Sequence, residues 1–308
     1  MNPFPRAITL PPPLQNRLEA AARDFLDPGK SGLADFATPA GEPALVAYHS
    51  VSWRIFKNPL ALFVGGVAAV ILELAEPRVR TGVWSHTAFR SNALGRVQRT
   101  GLSALVTVYG PRSRAEAMIA NVCRIHSRIS GHTPDGQPYR ADDPELLDWV
   151  HATASFGFLQ AYHTYVSKLE DVQRNRFYAE GAPSARLYGA LGAPVSEREV
   201  VSLFEKMRER LEPSPIVLEF LDIMRRAPVL PPPFTALQGV LVMAAIGILP
   251  DWIRERLELT GRWKPRAWQR QVTRQIGAAA DRILLRSGPA AQACRRMGLP
   301  DDYLYLRD

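Results

Sequence analysis

Two histidines, two arginines and two glutamates are the residues here whose types and spacings suit chemistry. The chain carries six histidines: His49, His86, His126, His132, His151 and His163. His126 shares a helical face with Val122 and Ile129, at spacings of four and three, and His151 lies among Trp149, Val150 and Ala152 near the start of an apolar helix. An imidazole on an apolar stripe must find a polar partner. For one such histidine a core residue bonded to a backbone carbonyl is the simpler reading. Two on successive helices add weight to a ligand or cofactor site. No acid lies at metal-ligand spacing beside either, so an iron site of two histidines and a carboxylate needs a distant carboxylate. His132 reads as an exposed loop residue and His163 as a structural one. His86, in 85-SHTAF-89, either lines a pocket or caps a helix.

In 96-RVQRT-100, residues Arg96, Arg99 and Thr100 fall at i, i+3 and i+4, on one helix face. Two guanidiniums and a hydroxyl there form an anion clamp suited to haem propionates, a phosphate or a carboxylate. On spacing alone, a salt-bridged surface face is the simpler reading. Glu73 and Glu76 end an apolar helix. A carboxylate partly buried there has its pKa raised and can act as a base, whereas a pair reaching solvent or Arg80 has no such role. Gly65-Gly66 sits inside that helix and costs about 1 kcal/mol of helix stability per glycine. The missing side chains let another helix or a flat ligand approach closely.

The common catalytic signatures are absent: there is no GxSxG, no GxxxxGK[ST], no HExxH and no GxGxxG. Cys123-Arg-Ile-His126 is not the CxxCH of a c-type haem. Cys123 and Cys294, the two cysteines, exclude a disulfide scaffold and a Cys-rich zinc or iron–sulfur site, and a reducing compartment is the simpler setting.

The elements that must position these residues read as helices. Residues 1–42 form a lead-in, with a helix over 14–26 and a turn at Pro28-Gly29. Helices are expected over 60–75 between Pro59 and Pro77, over 94–109, and from Ser113 to about Ser130. A turn-rich segment over 131–144 follows. Asp143 caps the next helix, with Pro144 at its first position, and that helix continues to about Leu169. Residues 180–194 read as a loop with a short helix. Ser196, with Glu199 three residues on, opens a helix to about Leu211. Further helices are expected over 218–226, 236–249, 251–259, 268–287 and 292–297, with a stiff linker at 228–233. Strand alternation is nearly absent. The fold class is all-α, with one large domain over 43–308.

At 308 residues, 46% hydrophobic and 22% charged, the chain suits a globular protein and excludes a mainly disordered one. The N-terminus lacks an apolar stretch of signal-peptide length, which points to the cytoplasm. The apolar runs 60–72 and 236–249 are short for a bilayer span and read as buried helices. The net charge is +8, and residues 251–300 hold 11 basic and 4 acidic residues. That stretch is either a solvated helical face or a patch for an anionic membrane or nucleic acid. It lacks zinc-finger spacing, an RNA-binding signature and a dense lysine run, so no nucleic-acid partner is expected.

The ordered stretches 52-SWRIFKNPLALFVGGVAAVILELAEPRVRTGVWSHTAF-89, 95-GRVQRTG-101, 126-HSRISG-131 and 138-PYRADDPELLDWVHAT-153 together resemble the MpaB-type oxygenase and rubber oxygenase (latex clearing protein) catalytic domain. The motifs cover roughly residues 45–170, with weaker similarity to about 250. The resemblance implies an all-α protein with a globin-like core that binds haem b, with its iron, and uses dioxygen on carbon–carbon double bonds of isoprenoid chains. It makes His126 the proximal iron ligand, in the H-x-x-[VI] motif. It makes Arg96 and Thr100 the pocket residues of an R-x-x-K-T motif. Arg99 stands where the rubber enzymes have lysine, and a guanidinium is a poor iron ligand, so a distal lysine is not expected. Glu76 stands where relatives often carry histidine. His151, in WVHAT, belongs to the family pattern.

The resulting expectation is a haem-dependent oxygenase or oxidase acting on a hydrophobic, isoprenoid-like molecule. Its catalytic residues are Arg99 and His151. Its cofactor residues are His126, Arg96, Thr100, Gly65 and Gly66. Peripheral membrane contact is compatible with an apolar substrate. Two alternatives stand beside it: a non-catalytic haem or lipid binder of the same fold, and a haem-free helical protein that binds anionic membranes or nucleic acid through its basic C-terminal stretch.

Overall fold

Prolines and small polar residues set most helix starts. Asn58 caps one helix by accepting from the backbone N–H of Leu60 and Ala61, with Pro59 following. Asp143, Ser196 and Ser214 do the same elsewhere. The computed structural model describes residues 7–8, 10–26, 34–87, 89–227, 230 and 234–306. The expected turn at Pro28-Gly29 and most of the linker 228–233 lie outside the described residues.

Fourteen α-helices occur among the described residues: α1 Pro12–Leu26, α2 Val51–Phe56, α3 Pro59–Ala75, α4 Pro77–His86, α5 Ala93–Tyr109, α6 Arg112–His126, α7 Pro144–Tyr165, α8 Asp171–Leu187, α9 Glu197–Met207, α10 Pro215–Arg226, α11 Gln238–Gly247, α12 Asp251–Arg256, α13 Ala267–Ala280 and α14 Pro289–Arg296. One short antiparallel hairpin, β1 Ser130–His132 and β2 Pro138–Arg140, pairs Gly131 with Tyr139. The chain is therefore mostly helical, as its pattern implies.

The centre is an antiparallel pair, α3 and α7. Arg78, just past α3, meets Glu145 at the start of α7 at 3.3 Å. At the other end, Asn58 and Tyr162 both reach the Asp281 carboxylate, at 3.1 and 3.4 Å. Lys57 completes this buried brace by donating to the Asp281 carbonyl at 2.7 Å and pairing with its carboxylate at 2.8 Å. α3 is apolar almost all round, which suits a helix covered on several sides; α11 and α13 pack on it as well. No single helix among the described residues is long and apolar enough to cross a membrane, and both apolar runs, α3 and α11, are core helices.

Several expectations on boundaries change: α7 stops at Tyr165 rather than about Leu169, and α12 at Arg256 rather than 259. Residues 180–187 belong to α8, which runs through Pro183. Its Gly181, Pro183 and Ser184 weaken the local helix signal. Burial of Phe177, Tyr178 and Ala185 outweighs that weakness, as does packing on α2 and α7. α6 stops at His126 because the chain turns into the hairpin. α13 stops at Ala280, and the following residues run out to a bridge between Ile283 and Ile8. The lead-in is tied to the C-terminal segment. Gln15 donates to the Leu284 carbonyl at 2.8 Å. The buried Arg296 guanidinium donates to the carbonyls of Phe36, Glu42 and Tyr109.

Candidate functional site

Two interior helices each carry a contiguous stripe that the protein does not cover. On α3 it is Leu62, Phe63, Gly66, Val70 and Glu73, half-buried between fully buried neighbours. On α7 it is Val150, His151, Ala154, Ser155 and Phe158. At about 100° per residue each set spans a single arc of its helix. The stripes meet where a Cβ on Gly66 would find only the Phe158 ring edge, at 4.0 Å. Gly65 does something different. A Cβ there would lie 2.7 Å from the Phe158 backbone Cα, so its bareness serves the α3–α7 contact. Of the two structural roles expected for this pair, Gly65 takes helix approach, and Gly66 borders open space.

Three polar groups are coupled by charge beside the α3 stripe, Glu73 to Arg96 and Arg96 to His126. Glu73 is surrounded by protein yet keeps some accessible surface, as a residue lining an internal space does. Burial pushes its carboxyl up to about 7, and the Arg96 cation pulls the other way. Arg96, on α5, is lowered by burial, supported by Glu73 and opposed by Arg99. His126, the last residue of α6, is lowered by burial and by Arg96 and raised by Asp142. Its imidazole is therefore neutral at pH 7. None of the three side chains makes a hydrogen bond or close ion pair with a described residue. α3 and α5, which carry Glu73 and Arg96, are not closely packed on each other. Half-buried polar groups with no protein partner are uncommon and call for water or a ligand.

His151 lies six residues before Gly157 and is thus level with Ile71, six residues after Gly65. Its Nε2 is 3.3 Å from Ser155 Oγ, and burial alone pushes it down to about 4, so it too is neutral at pH 7. The clamp residues separate. Arg96 turns inward, while Arg99 and Thr100 are exposed, and Thr100 Oγ1 donates to the Arg96 carbonyl at 3.0 Å. Glu76 is not a base in waiting. It is buried, caps α4 through the Val79 N–H and pairs with Arg78 at 2.7 Å, not with Arg80. His86 is exposed and meets Tyr139 Oη at 3.1 Å. His163 Nδ1 accepts from the Leu169 N–H at 3.1 Å, a structural role as expected, and His132 is exposed. Val70, Ser155 and Phe158 escaped the motif reading. Their signal was an i, i+4 stripe facing another stripe, visible only once α3 and α7 are paired.

The donor set restricts what the cleft can hold. Among the described residues no three His, Cys, Asp or Glu side chains gather as a metal-ion site. One neutral imidazole with free ring nitrogens, an interior arginine and two apolar stripes fit a flat macrocycle whose iron needs one protein ligand and whose carboxylates need cations. The family model of the "ER-bound oxygenase mpaB/B'/Rubber oxygenase, catalytic domain" matches residues 53–282. No curated protein and no solved structure matches the chain.

Proposed function

On the premise that this chain belongs to the family of the ER-bound oxygenase mpaB/B'/rubber oxygenase catalytic domain, shown by the match over residues 53–282, we propose that it is a haem b-dependent oxygenase of an apolar, isoprenoid-like small molecule. Membership of an oxygenase family makes an oxidoreductase of it; the haem and the substrate class are our reading. In that reading the helical core is a globin-like haem pocket. The observation that carries it is His126: a neutral, half-buried imidazole with no hydrogen-bond partner among the described residues, within reach of the Arg96 charge.

Haem bound here would supply iron for the activation of dioxygen. His126 would ligate it in the neutral form already present at pH 7. Arg96 would hold a propionate, with Arg99 and Thr100 at the exposed edge of the same helix. Leu62, Phe63, Val70 and Phe158 exclude water and orient an apolar chain by contact alone. The Glu73 carboxyl holds a proton near neutral pH and can donate or accept one at its carboxylate oxygens. His151 stays neutral and offers Nε2 to a polar group, with Ser155 as its present partner.

The test is the absorption spectrum of the protein expressed with added haem precursor, beside His126→Ala. A Soret band near one haem per chain, lost or shifted in the variant, supports the reading, and turnover of apolar alkenes under dioxygen then identifies the substrate class. Colourless protein that takes up no added haemin ends it. Haem uptake with no turnover makes the chain a binding relative of the family.

A further inference from the structure

Between Glu258 and Asp281 the sequence has five cations, Arg262, Lys264, Arg266, Arg270 and Arg274, and no carboxylate. All five are exposed, and none is ion-paired with a described residue. Other exposed arginines divide: Arg90 pairs with Glu219 and Arg140 with Asp142, while Arg99 and Arg112 pair with no described carboxylate. What sets this stretch apart is that five cations follow one another with no carboxylate between them. The exposed Arg225 widens the patch, reaching over the buried Trp263 ring that Arg262 also covers. Trp268 is 53% exposed and is the only tryptophan among the large exposed hydrophobics described. At about 100° per residue, Arg270 and Arg274 edge one flank of the outer arc of α13 and Trp268 the other, with Ala267, Gln271 and Ala278 between.

We infer that the outer face of α13 and the loop before it form a docking surface for an anionic lipid bilayer. A tryptophan at the headgroup level, flanked by arginines that reach lipid phosphates, is the composition of an interfacial helix. Each cation near such a surface raises the binding constant about fivefold. Nucleic acid fits less well. Single strands ask for successive aromatic rings along a basic track, and α13 shows one ring, with its arginines on the opposite flank. α13 packs on α3 and α7, the helices that line the candidate site. Docking there holds that site close to a reservoir of apolar molecules.

The experiment is sedimentation of the full chain with vesicles of phosphatidylcholine, with and without phosphatidylglycerol. The expected result is binding only to the anionic vesicles, weakening as salt rises. Arg270→Glu with Arg274→Glu weakens it about tenfold or more while thermal unfolding stays unchanged. Brominated lipid quenches the wild-type fluorescence, and Trp268→Phe loses that quenching. This readout stands even if the charge variant misfolds. Equal binding to neutral vesicles, equal binding by a folded charge variant, quenching that persists in Trp268→Phe, or tighter binding to a DNA duplex at the same salt each overturns the inference.

Discussion

Gly65 on α3 and Gly157 on α7 face each other so closely that a Cβ on Gly65 would sit 2.8 Å from the Gly157 carbonyl carbon. The obstruction is backbone on both sides, so it cannot swing away. Gly65→Ala or Gly157→Ala must push the central helices apart. Each should cost about 1–3 kcal/mol as overpacking. Gly66→Ala meets only open space and a ring edge, and gains up to about 1 kcal/mol of helix propensity. Denaturant unfolding of the three variants checks this, and equal effects at Gly65 and Gly66 would contradict it.

Glu73 gives stability a falling limb with pH. Its folded-state pKa of about 7 lies above the ordinary carboxylate value. The stability it contributes is therefore complete below its unfolded pKa and lost as pH rises through about 7. Glu73→Gln keeps a neutral group there at every pH. Relative to wild type it should gain stability between about pH 5 and about pH 8, by no more than about 3 kcal/mol. Thermal melts at both ends of that window measure it; a constant difference refutes it.

His151 works in the opposite direction. Its folded-state pKa of about 4 lies below the ordinary imidazole value. The stability tied to its neutral form is present above about pH 6.5 and lost as pH falls towards about 4. His151→Leu should flatten the acid side of the stability profile by no more than about 3 kcal/mol. A variant profile parallel to wild type between those values would show that the imidazole does not titrate as its burial demands.

Glu180 sits on α8 but caps α2. It accepts from the N–H of Val51 and Ser52 and from the Ser52 hydroxyl, at 3.0, 2.9 and 2.8 Å, and pairs with Arg176. Glu180→Ala should cost about 1–3 kcal/mol, since two helix-end donors and a buried hydroxyl lose their acceptor together. Glu180→Gln should recover part of that loss. Equilibrium unfolding compares the two, and a neutral Ala variant would mean that water replaces the carboxylate.

Local physics made much of this chain readable in advance. Pro59 and Pro144 at helix starts, Pro77 at a helix end, the caps at Asp143 and Ser196, and the 3.6-residue apolar rhythm act within one turn of chain. They determined the all-α class and most helix bounds. The ordered motifs determined the oxygenase family and drew attention to His126 and Arg96. What the tertiary structure decided is which face of each helix meets which neighbour. It separated Gly65 from Gly66, turned Arg96 inward and left Arg99 and Thr100 outside. It made a helix of 180–187 against its local propensity. It gave Glu73 a raised pKa and made Glu76, three residues on, an ion-paired cap. The reason is that burial and close contact are supplied by groups far along the chain: desolvation by the surrounding fold raises Glu73 against the pull of Arg96, and Gly157 meets Gly65, and no local pattern contains them.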